Sequence, residues 1–108
     1  MNANPLTTLD LESKVIECLQ TIYDPEIPVN IYDLGLIYDV HITEEACAEI
    51  TMTLTSPACP VAGSLPGEVE AKVHRILGIR DVIVDIVWDP PWTPERMSEA
   101  ARLDLGFW

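Results

Sequence analysis

The chain has 108 residues, 48% of them hydrophobic, which suits one domain with its own core and no need of a metal or disulfide staple. Its net charge of -12 comes from 18 Asp and Glu against 6 Lys and Arg. That field repels nucleic acid and anionic lipid, so neither is an expected partner; a basic or metal-bearing protein surface suits it better, and the plainer reading, favoured for an arbitrary acidic domain, is that the charge keeps a small protein soluble. Residues 1-7 read as a flexible tail and 8-108 as the domain. Leu11, Val15, Cys18, Leu19 and Ile22 then fall on one helical face. Thr7 or Thr8 can cap that helix, Asp10 and Glu12 suit the positive end of its dipole, and Asp24-Pro25 should end it.

"YDPEIPVNIYDLG", Tyr23 to Gly35, is a loop with two prolines, long for so small a domain. "LIYDVHI" alternates next, with Leu36, Tyr38, Val40 and Ile42 facing one way and Ile37, Asp39 and His41 the other. "ACAEITMTL" repeats the pattern, with Ala48, Ile50, Met52 and Leu54 inward and Cys47, Glu49, Thr51 and Thr53 outward. Thr43 to Ala46 joins the two as a hairpin. One apolar and one polar face call for a single covering layer of helices.

From Pro60, apolar Val61, Leu65, Val69, Val73 and Ile76 keep helical spacing to Gly78, interrupted by Pro66-Gly67. The spacing predicts one helix kinked there, the alternative being a start near Pro66. "DVIVDIVW", Asp81 to Trp88, is a third strand, with Val82, Val84, Ile86 and Trp88 on one side and Trp88 in the core. Because it follows a helix, it should lie parallel to an earlier strand. "TPERMSEAARL" begins a last short helix with Thr93 as N-cap and Pro94 at its first position. The order α-β-β-α-β-α describes an α+β fold: one small mixed sheet covered by helices.

No apolar run is long enough to span a membrane, and the first ten residues lack the basic-then-apolar pattern of a signal peptide. Three cysteines, Cys18, Cys47 and Cys59, are odd in number and widely spaced with no C-x-x-C pair, which points to free thiols in a reducing cytoplasm. Cys59 stands apart in "TSPACPVAG". With Pro60 as first helical residue it would occupy an N-cap, where unpaired N–H groups and the helix dipole favour a thiolate. Pro57 and Pro60 stiffen the backbone around it, and Thr55 and Ser56 bring hydroxyls nearby. A nucleophile or soft-metal ligand and a buried loop cysteine both fit this stretch. Cys18 reads as core, Cys47 as an exposed strand residue, His41 as solvated and His74 as surface. Asp24, Glu26 and Asp33 are either turn-building acids or a carboxylate cluster near Cys59 for a metal or a basic partner. Trp92 and Trp108 could pack on a sheet edge or form an interface.

"YDPEIPVNIYDLGLIYDV", "MTLTSPACP" and "VDIVWDPPWTPERMSEAARLDLG", in that order, resemble the MIP18 family, once a domain of unknown function, and within it the bacterial branch of the SUF iron–sulfur system. The likeness runs from about Leu9 to Gly106. It implies a compact α/β fold and a role in maturing iron–sulfur proteins, with assembly machinery and apo-protein clients as partners. It marks Cys59 as the family's cysteine, Asp24, Pro25, Glu26, Asp33 and Gly35 as its loop signature, and Thr55 and Pro60 as matching residues around the cysteine. The phenylacetate-degradation branch carries further cysteines toward its C-terminus; none follows Cys59 here. Clusters usually take four thiolates, so Cys59 as a metal ligand would share a transient cluster across a homodimer or with a partner or small thiol; otherwise it serves docking or transfer. The expected function is that of a non-enzymatic carrier or adaptor. A thiol-dependent enzyme with Asp24, Glu26 or His41 as helper, or an adaptor without cluster contact, are the rivals.

Overall fold

The computed structural model describes residues 7–24, 27–55 and 65–106. Its elements are α1 (Thr8–Leu19), β1 (Ile37–Ile42), β2 (Cys47–Met52), α2 (Leu65–His74), β3 (Asp81–Ile86) and α3 (Glu99–Leu105), with a 3-10 turn at Pro94–Arg96 before α3. This is the expected order. Among the described residues no helix is long and apolar enough to cross a membrane.

A capping box starts α1. The Asp10 N–H donates to Thr7 Oγ1 at 3.1 Å, and Asp10 Oδ2 accepts from the Thr7 N–H at 3.2 Å. The helix stops at Leu19, before the expected Asp24-Pro25 boundary. The Thr21 N–H and hydroxyl both donate to the Cys18 carbonyl, at 2.9 and 2.6 Å, and the Ile22 N–H to the Leu19 carbonyl at 3.2 Å. These bonds tighten the last turn and release the chain. Ile22 is still fully buried, because the Ile31 N–H donates to its carbonyl at 2.8 Å and draws it into the core.

The sheet order is β1-β2-β3, with β1 antiparallel and β3 parallel to β2, the direction expected for a strand that follows a crossover helix. α1 lies over β1 and α2 over β3, and the two helices touch. Between them and the sheet lie Val15, Leu19, Ile50, Met52, Val69 and Val73, all but inaccessible to solvent; each such side chain contributes about 1.5–3 kcal/mol by leaving water. The hairpin turns at Thr43 to Ala46, with Ala46 at φ 67° and the Ala46 N–H bonded to the Thr43 carbonyl.

Three departures from simple alternation shape the site. The β1–β2 ladder slips between Ile37 and Asp39, so Ile37 opposes Met52 and packs on the core, while Tyr38 is the extra residue of a bulge. Thr53, expected outward, is fully buried: β2 ends at Met52, and the Thr53 N–H turns to the Leu36 carbonyl at 2.8 Å. Trp88, expected in the core, is 47% exposed because β3 ends at Ile86, short of it.

The described helix α2 holds Pro66 and Gly67 in its first turn, where proline's missing N–H costs nothing; the arm expected to run from Pro60 and Val61 up to the Pro66-Gly67 kink lies outside the described residues. The last expected helix divides in two. Thr93 precedes the Pro94–Arg96 turn without a side-chain cap, Met97 returns to extended backbone with its side chain buried, and Ser98 caps α3 by accepting from the Ala101 N–H at 3.2 Å.

Candidate functional site

The direction of the strands gathers the loops. β1 begins, and β2 and β3 end, at one end of the sheet, where Tyr23 to Gly35 also arrives. The Thr53 N–H bonds the Leu36 carbonyl there, and the Val87 N–H bonds the Met52 carbonyl at 2.9 Å. Thr55, three residues past β2 and partly buried, heads the segment that carries Cys59. Pro25, Glu26, Ser56, Cys59 and Pro60 lie outside the described residues, as does Trp108.

Asp24 is buried, at 6% exposure. Its Oδ2 accepts from the Ile27 N–H at 2.8 Å, and its own N–H donates to the Val29 carbonyl at 3.2 Å, beside a bridge pairing Tyr23 with Asn30. Asp33 is held by Asn30: the amide Nδ2 donates to its Oδ2, and its N–H donates to Asn30 Oδ1, both at 2.8 Å. Both carboxylates thus build turns. Ile31 and Leu34 from the same stretch are fully buried, anchoring the loop as part of the core.

A second clamp comes from the far end of the chain. The Ser98 N–H donates to the Asp33 carbonyl and Trp92 Nε1 to the Leu34 carbonyl, each at 2.7 Å. Gly35, at φ 88°, lies so close to Arg96 that a Cβ would collide with its backbone. Arg96 itself stacks on the Tyr38 ring, 4.8 Å from the centroid, and the Tyr38 hydroxyl donates to the Pro90 carbonyl at 2.7 Å. Tyr32, Asp33, Gly35, Tyr38, Arg96 and Ser98 line an open cleft of about 560 Å³ at this end of the sheet.

Asn30, Trp92, Arg96 and Ser98 were not singled out as site residues from the sequence. Asn30 three residues before Asp33, and Ser98 ahead of Glu99-Ala100-Ala101, carry local turn and cap signals; the Trp92 and Arg96 contacts carry none, being made across the fold. The other thiol and imidazoles belong to the opposite end of the sheet. Cys47 opens β2, His41 is near the hairpin, and His74 Nε2 lies 3.2 Å from the Arg80 carbonyl, whose residue bonds Ala46. Burial pushes the Cys47 thiol pKa up, with Asp81, Glu49 and Glu45 adding to the rise. Burial also raises that of Cys18, which packs against the core, and Lys72 partly offsets this. Among the described residues no three His, Cys, Asp or Glu side chains stand together as a metal site.

The family model described as iron–sulfur cluster assembly protein matches residues 12–86, a span that includes the loop and Cys59. The Fe-S protein maturation auxiliary factor of Porphyromonas gingivalis is 46% identical over 92% of this chain and 94% of its own. The Fe-S protein maturation auxiliary factor SufT of Staphylococcus aureus is 40% identical over 79% of this chain and 97% of its own. A crystal structure of a domain of unknown function, DUF59, from Bacillus anthracis superposes with a TM-score of 0.87 at 39% identity, covering 95% of this chain and 98% of that one.

Proposed function

Because this chain belongs to the iron–sulfur cluster assembly protein family, we propose that it is a maturation factor that carries or presents a cluster to apo-protein clients in the cytoplasm, with Cys59 at its working surface. The observation that carries this reading is the convergence at one end of the sheet. The chain leaves β2 beside Leu36, next to the clamped loop of Asp33 and Gly35. Four residues of extended chain reach at most about 14 Å, so a cysteine four residues after Thr55 works within that radius. In the neighbouring loop Asp24 and Asp33 are committed to turns, and the backbone of Asp33 to Gly35 is tied to Trp92, Arg96 and Ser98. A fixed wall beside one thiolate suits docking of an assembly partner or client that supplies the remaining ligands, since a cluster usually takes four.

The test is anaerobic reconstitution of the full chain with iron, sulfide and a small thiol, followed by transfer to an apo-ferredoxin. A brown, protein-bound species that Cys59→Ser fails to form, and that is handed on to the acceptor, is the expected result. A cluster retained equally by Cys59→Ser would remove Cys59 from the cargo site.

A further inference from the structure

Among the described residues nothing covers the sheet face turned away from α1 and α2, and the register arranges its outward residues in rows across the strands. His41, Glu49 and Ile83 form one row, and Asp39, Thr51 and Asp85 the next; Cys47 stands opposite Asp81 in a third. Ile83 is 52% exposed, a large β-branched side chain standing in water between acids. No lysine or arginine occupies any of these positions. Glu49, Thr51, Ile83 and Asp85 border a shallow groove of about 260 Å³ between β2 and β3.

The same region is also a sheet edge. β3 pairs with β2 in unbroken register from Asp81 to Ile86 and, among the described residues, with no other strand. Exposed edges are normally blunted by lysine, proline or a bulge, and β3 has none of these. Asp81 and Asp85 are its only charges, flanking Ile83 on the exposed side. They reject a second copy of this chain, which would bring aspartate against aspartate at a net charge of -12 per chain. They attract a strand of opposite charge.

We propose that β3 and the open face beside it dock an extended, lysine- or arginine-rich segment of a partner protein, added as a further strand along β3. The main chain of that segment pairs with β3, its cations meet Asp81, Asp85 and Glu49 on the open face with their methylene stems over Ile83, and the apolar side chains that alternate with them fall on the opposite face, beside Val82 and Val84. This inference stands on the sheet alone and is independent of the cargo reading.

The probe is an end-capped decapeptide of alternating lysine and valine, titrated at low salt into the full chain while backbone amide shifts and hydrogen exchange are followed by NMR. The amides of Asp81–Ile86 are expected to shift and to gain at least tenfold protection. Asp81→Lys with Asp85→Lys should weaken binding tenfold or more, whereas Glu17→Lys with Asp104→Lys, an equal charge change elsewhere, should alter it less than twofold. If the double reversal disturbs the fold, Asp81→Asn with Asp85→Asn should still weaken binding at least threefold. A glutamate–valine peptide should not bind, and a lysine–glycine peptide should bind at least tenfold more weakly. Shifts spread over the acidic surface without protection of β3, equal binding of the lysine–glycine peptide, no binding at all, or self-association through this face in sedimentation would overturn the proposal.

Discussion

Gly35 and Arg96 meet backbone to backbone: a Cβ on Gly35 would stand 2.7 Å from the Arg96 carbonyl carbon, 2.8 Å from the Arg96 Cβ and closer still to the carbonyl oxygen. The contact joins the loop that opens β1 to the turn that precedes α3. Gly35→Ala therefore faces two penalties. The left-handed φ of 88° costs an alanine about 1–2 kcal/mol, and forcing a methyl into packed backbone costs about 1–3 kcal/mol more. At about 4–8 °C per kcal/mol for a domain near this size, a melt should fall by at least roughly 8 °C. A fall of less than about 4 °C would show that the Arg96 turn yields and that the clamp is weak.

Thr53 is the one described side chain with a buried polar atom lacking any hydrogen-bond partner, its Oγ1. Such a group costs about 1–3 kcal/mol relative to one left in water, and valine has nearly the same shape without it. Thr53→Val should raise stability by about 1 kcal/mol, read as a melting gain of roughly 4 °C or more. A loss of stability would mean that the hydroxyl is satisfied in solution. A gain accompanied by failure to support iron–sulfur enzyme activities in cells would mean that Thr53 is retained for its chemistry at a cost to the fold.

The fold was largely legible because its signals are local. Thr7 and Asp10 announce the start of α1, and period-two alternation announces β1, β2 and β3. Alternation fails where geometry breaks the period. A bulge at Tyr38 cannot be read from hydrophobicity, since Ile37 and Tyr38 are both plausible inward residues, and Trp88 and Thr53 lie past the ends of their ladders. The site was half legible. Asp24, Asp33 and Gly35 are recognisable turn residues, but the reason that Gly35 must be glycine lies in Arg96, and the partner of the Leu34 carbonyl lies in Trp92. Contacts between segments so far apart in the chain leave no periodic trace in either.

The described thiols should be poor nucleophiles at neutral pH. Burial and the acids Asp81, Glu49 and Glu45 hold the Cys47 pKa above its ordinary value, and burial does the same for Cys18. A raised pKa keeps the reactive thiolate scarce. Iodoacetamide labelling of both should be slower at pH 7 than that of a free cysteine peptide and should accelerate as pH rises. Asp81→Asn, removing one neighbouring charge, should speed Cys47 and leave Cys18 unchanged. The sign extends to stability: a thiol that keeps its proton longer in the folded state loses stabilisation as pH rises from the unfolded pKa toward the folded one. Peptide mapping should find Cys59 labelled first; earlier labelling of Cys47 or Cys18 would end the case for an activated Cys59.

Cys59→Ser separates packing from function. Serine is close in size and caps a helix as readily, so a cysteine that works at a surface should tolerate the change with a melting shift below about 4 °C, the equivalent of less than about 1 kcal/mol. A buried cysteine would instead take an unpaired hydroxyl into the core at a cost of about 1–3 kcal/mol. The functional half needs cells lacking the native gene, complemented with either form, with iron–sulfur enzyme activities as readout. The serine form is expected to fold and to fail. A stable serine form that restores those activities fully would show that Cys59 neither ligates nor transfers a cluster. The clamped loop of Asp33 and Gly35, fixed by Ser98, Trp92 and Arg96, would then be the better candidate for the working surface, with Gly35→Ala as its first test.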